Sequence, residues 1–139
     1  MNGAVNENYG TYEVPKEICQ LIELEKELQT EGLSLAKIGL IPVEQFNYYA
    51  ITPPDVIVFA ETGGGGIHFG FLTDFSSVSN LNQAPIVCVT PTNYPPIRLV
   101  ARNIREFLNL ASSVPYVEML ESLWAFSNFE QVTELFQNY

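Results

Sequence analysis

Histidine occurs once in this chain, at position 68, and aspartate only twice, at positions 55 and 74. Any histidine-assisted nucleophile or histidine-bearing metal site must therefore use His68. A carboxylate-histidine metal centre would have to draw heavily on glutamate, and neither the HExxH nor the EF-hand spacing occurs, so no metal and no cofactor are expected. Cysteine is scarce as well. Cys19 and Cys88 stand far apart with no CxxC pair, which signals neither a zinc cluster nor a redox couple, and both are expected to be reduced and buried. Positive charge is the next shortage: six Lys and Arg stand against sixteen Asp and Glu, a formal net charge of -10. A surface of that sign repels phosphate backbones and anionic lipid headgroups, which argues against nucleic-acid and membrane partners. The same field draws in a basic protein. Apolar residues nowhere approach the run of about 18 that a membrane span requires. Met1 to Tyr12 lacks the basic start and apolar stretch of a signal peptide, so the expected location is cytoplasmic.

What the chain does contain is enough apolar matter for one core. Its 139 residues are 47% hydrophobic and 12% aromatic, which suits one ordinary domain and is too apolar for a disordered chain. No internal repeat or linker divides it. Residues 1–13 carry Asn, Gly and Glu without periodicity and read as a flexible lead-in, leaving residues 14–139 as the single domain.

Pro15 suits the first turn of a helix. Ile18, Leu21, Ile22 and Leu28 then recur at helical spacing until Gly32 can end it, so the pattern predicts an amphipathic helix over residues 15–30. Glu17, Glu23, Lys26 and Glu27 fall on its outer face, as a solvated surface or a surface for a partner. Past Gly32 the pattern shifts to short apolar runs. Tyr48 to Ile51 is one candidate strand, stopped by Pro53 and Pro54. Asp55 to Glu61 and Ile67 to Thr73, joined across Gly63 to Gly66, predict an antiparallel hairpin. Ile86 to Val89 is apolar at every position, as expected of an interior strand covered on both faces. Val100, Ile104, Phe107, Leu108 and Ala111 then share one face of a helix expected from about residue 98 to 110, with Arg102 and Glu106 able to pair on the other. A further helix is expected near Pro115. Ser127 followed by Glu130 is a capping-box pattern, which predicts a last helix carrying Val132, Leu135 and Phe136.

Several features invite chemistry. Thr62 to Gly66 resembles a phosphate cradle, but such loops feed a helix N-terminus, whereas Ile67 opens a strand; a turn needing positive φ at several residues explains the glycines. Cys88 could pair with His68 as a thiolate-imidazolium couple oriented by Glu61 or Asp74, although its Ile-Val-Cys-Val setting raises a thiol pKa and hides it. Glu61 with Asp74 is the one carboxylate pair available for acid-base work. Arg98, Arg102 and Arg105 fall near one face of the expected helix, placed to pair with glutamates or to anchor an acidic segment. Tyr94, in the Pro-rich stretch from Pro91 to Pro96, is a candidate interface aromatic.

The segments ITPPDVIVFAETGGGGIHFGFLTDF, APIVCVTP and LVARNIREFL, in this order and spacing, resemble the SUKH superfamily, which includes Smi/Knr-type cell-wall regulators and many bacterial immunity proteins. The resemblance runs over roughly residues 15–125. It implies an α+β fold, with a curved antiparallel sheet of about four to six strands flanked by an N-terminal helix and C-terminal helices. It also implies action without catalysis, commonly the neutralisation of a toxin, often a nuclease. Where relatives often carry an acidic residue between glycines, Gly63 to Gly66 has none. The expected function is thus a non-catalytic, immunity-type module binding a basic toxin domain. Glu61, His68, Asp74, Tyr94, Glu23 and Glu27 are its candidate partner contacts. A scaffold or regulator in cell-envelope or sporulation processes is one alternative, and a small hydrolase using Cys88 or the Glu61 and Asp74 pair is another.

Overall fold

The structure is a computed structural model that describes residues 7–44, 49–92 and 94–125. Besides helical residues 7–9, the described residues form α1 (Lys16–Thr30), β1 (Ile41–Pro42), β2 (Val56–Glu61), β3 (His68–Leu72), β4 (Ile86–Val89), β5 (Ile97–Ala101) and α2 (Ile104–Ser113). Short 3-10 segments lie at Leu35–Ile38, Leu81–Gln83 and Val117–Ala125. The strands form one open antiparallel sheet in chain order, β1-β2-β3-β4-β5. Helices precede and follow the strands, so the molecule is α+β, as the sequence pattern and the resemblance both predict.

The core follows from the alternation of side chains along these strands. Ile57 pairs with Phe71, Phe69 with Cys88 and Phe71 with Ile86, which places these residues on one face. Ile18, Leu21 and Ile22 of α1 and Ile104, Phe107 and Ala111 of α2 join that face in a single buried cluster. Phe107 is its hub, with ring centroids 5.2 Å from Phe59 and 5.0 Å from Phe69, in the tilted and edge-on arrangements that aromatic quadrupoles favour. Val58 pairs with Gly70 but Ala60 with Phe69, so Phe59 is the extra residue of a β-bulge. The carbonyls left beside it are taken up, Val58 by Asn8 Nδ2 at 2.9 Å and Phe59 by the Val43 N-H at 2.9 Å. Gly70, opposite the bulge, has no room for a side chain. A Cβ there would lie 2.4 Å from Val56 Cγ1 and 2.8 Å from the Ile57 carbonyl oxygen.

Four local expectations need correction. Residues 7–13 are no free lead-in: residues 7–9 are helical, Tyr9 is buried against Phe71, and Tyr12 Oη donates to the Val78 carbonyl at 2.6 Å. Residues 1–6 lie outside the described residues. At the candidate strand 48–51, Tyr48 lies outside the described residues, and residues 49–51 run into a turn closed by Thr52 N-H to Tyr49 O. The sheet's first strand is instead Ile41–Pro42. The helix expected from about residue 98 begins at Ile104, because residues 97–101 are the fifth strand. Arg98 therefore belongs to the sheet, and Arg98, Arg102 and Arg105 do not share a helix face. Near Pro115 the chain forms the 3-10 segment Val117–Ala125, not an α-helix, and the helix expected from Ser127 lies outside the described residues.

Candidate functional site

The sheet separates the groups that could have made an active site. His68 pairs with Val89 while Cys88 pairs with Phe69, so the imidazole and the thiol leave opposite faces of the sheet. Cys88 is fully buried in the aromatic core. Burial, with Glu121 nearby, pushes its thiol up to about 12 in spite of Arg98, so the thiolate that would attack a substrate does not form at neutral pH. Glu61 and Asp74 are held apart by the hairpin itself. Glu61 pairs with His68 at the closed end, Asp74 follows Leu72 at the open end, and the strand between spans at least about 13 Å. Among the described residues, no group of three or more His, Cys, Asp or Glu is placed to hold a metal ion.

His68, expected among the partner contacts, is wholly buried and serves the interior. Its Nδ1 lies 2.7 Å from the Gly66 carbonyl, which can only accept, so Nδ1 carries the proton. Nε2 is left to accept from Thr52 Oγ1 at 3.0 Å, and that hydroxyl in turn accepts from the Tyr49 N-H at 3.2 Å. The Tyr49 ring stacks on the imidazole at 5.4 Å. Burial lowers the pKa of His68, against the Gly66 carbonyl and the Glu61 carboxylate, which raise it. The neutral ring is thus a clasp between the 49–52 turn and the glycine loop. In that loop Gly63, Gly65 and Gly66 have positive φ, and a side chain at Gly66 would press within 3.1 Å of the Tyr49 ring. The loop feeds β3 and no helix, so its N-H groups lack the helix-terminal geometry of a phosphate site.

The surface shows where charge and apolar groups reach solvent. Glu23 and Glu27 are exposed on the outer face of α1, with Leu24 between them and Lys26 reaching to 3.9 Å from Glu44. Tyr94 is 90% exposed on the loop between β4 and β5. Asp74 is exposed, whereas Glu61 is half-buried. Of the arginines, Arg98 is buried and ion-paired to Glu121, and its Nε donates to the Pro95 carbonyl at 2.8 Å. Arg102 pairs with Glu106 at 2.8 Å, the pair that their spacing suggests, and holds that exposed carboxyl below its usual range.

Sequence reasoning passed over one exposed group, Phe75, which is 74% exposed on the loop after β3. Asp74, Phe75 and Ser76 all have positive φ, at 52°, 53° and 68°. The signal is a lone aromatic in the largely polar run from Asp74 to Asn82, just past the expected end of the strand at Thr73. Compared with family models, curated proteins and solved structures, the chain matches none of them.

Proposed function

We propose that this chain is a non-catalytic binding protein of the immunity type, which neutralises a basic toxin domain in the cytoplasm by occupying it. The observation that carries this reading is the separation of His68, Cys88 and the Glu61 and Asp74 carboxylates, in a chain with net charge -10. Reactive groups are locked inside or held apart, while Glu7, Glu13, Glu23, Glu27, Glu31 and Asp74 stand exposed. Such a distribution steers a cationic partner and speeds its encounter. A stable complex would bury about 800 Å² on each partner. The resemblance to the SUKH superfamily points the same way. Coexpression with any toxin encoded beside this chain's gene tests the reading. Growth should be restored and the two proteins should copurify, with the association weakened by salt; continued killing by that toxin in the presence of folded chain would refute it.

A further inference from the structure

We infer that the basic partner is received at the open end of the β2-β3 hairpin, where the exposed Phe75 ring offers a face for an arginine side chain on a turn flanked by acidic depressions. This rests on the proposed capture of a basic protein and gives that capture a place. The turn that carries Phe75 is held at both ends. Thr73 N-H and Oγ1 bond the Asp55 carbonyl at 2.9 and 2.8 Å, and the Val78 carbonyl accepts from Tyr12 Oη at 2.6 Å. Between these ties, Ser77 Oγ donates to Asp74 Oδ2 at 2.9 Å and the Ser77 N-H to the Asp74 carbonyl at 3.1 Å. Three consecutive left-handed residues without a glycine carry a steric cost, above all at Phe75 and Ser76. That cost holds an apolar ring out in water, where the core gains nothing from it.

Two depressions flank the turn and share Ser76. One is lined by Glu7, Tyr9, Asp55 and Thr73, the other by Glu13, Lys16, Asn80 and Asn82. Asp74 precedes Phe75 in the turn, and Glu7, Asp55 and Glu13, with Lys16, line the depressions that reach the turn at Ser76, a local excess of negative charge beside it. A guanidinium is planar and weakly hydrated. It stacks on an aromatic face while its N-H groups reach carboxylates, whereas an ammonium is more strongly hydrated and gains less from the ring. The outer face of α1 has carboxylates too, but its apolar member is aliphatic Leu24, which offers no such face.

The test is a nuclear magnetic resonance titration of the full chain with a short oligo-arginine peptide and its oligo-lysine counterpart, at about 0.15 M salt, where long-range attraction is screened. Saturable shifts are expected over residues 73–78 and at Glu7, Glu13 and Asp55, with arginine preferred over lysine. Phe75→Ala should weaken the arginine peptide about fivefold and erase the preference, while Phe75→Tyr keeps both. The ring is exposed, so neither variant should disturb the fold, and unchanged amide shifts elsewhere check this. Equal affinity in Phe75→Ala, or shifts confined to Glu23 and Glu27, would overturn this site and leave the capture of a basic protein standing. A wild-type chain that binds neither peptide saturably would overturn the site. Toxin killing that coexpression does not stop, beside peptide binding that depends on Phe75, would overturn only the immunity reading.

Discussion

His68 and Cys88 are the residues on which a thiol-nucleophile reading would depend, and both are bound into the interior. The unfolded chain protonates its imidazole near the ordinary value of 6.5, whereas the folded chain resists protonation until lower pH. Below that value the unfolded state therefore binds more protons. The contribution of His68 is complete above about pH 6.5 and is lost progressively as the pH falls through the lowered folded value. Urea unfolding midpoints should be level from about pH 7.5 to 6.5 and decline toward pH 5.5, above the range where carboxylates dominate. In His68→Phe the stack can persist, but the Thr52 hydroxyl and Gly66 carbonyl lose their partner. Stability should fall by about 1–3 kcal/mol and the decline over that pH range should vanish. Cys88 gives a chemical counterpart. In folded protein near pH 8, iodoacetamide should modify Cys19, which is partly exposed, well before Cys88, and mass spectrometry of timed samples would show the order.

At the level of elements, legibility in the sequence followed the normality of each side-chain pattern. The β2-β3 hairpin and β4 were readable because apolar runs, glycines and prolines fell where sheet geometry wants them. β5 was not, because its pattern is inverted: Arg98 points into the core while Ile97 and Leu99 face outward, 40% and 65% exposed. Val100, Ile104 and Phe107 then mimicked a helical stripe across the boundary. A start signal was present in Asn103, whose side chain accepts from the Glu106 N-H at 2.9 Å, three residues on as in a capping box. The inward guanidinium is held by Glu121 and by the Pro95 and Glu121 carbonyls. Arg98→Met should cost about 3 kcal/mol, near the lower end for a broken buried pair since Glu121 retains some solvent, as measured by chemical denaturation. Gly70→Ala belongs to the same scale. Its methyl would collide with Val56 and the Ile57 carbonyl, so a loss of about 1–3 kcal/mol is expected in the same assay.

For the whole molecule, composition spoke to the sign of the surface and the scarcity of catalytic parts, but not to which part of the surface is used. An acidic helix face and an acidic interface have the same residue pattern, and Glu23 and Glu27 fit either. Phe75 stood out only once its exposure and its left-handed turn were seen, since backbone dihedrals leave no mark in a run of polar residues. No described helix is long and apolar enough to cross a membrane. Binding and catalysis differ most plainly in stoichiometry. The deciding measurement for the proposed role is a titration of this chain into a fixed amount of an active basic toxin that it binds, following the toxin's residual activity. Occupancy predicts a fall that stops at equimolar chain and is unchanged in Cys88→Ser; silencing by a small fraction of an equivalent, abolished in that folded variant, would mean turnover and contradict the account.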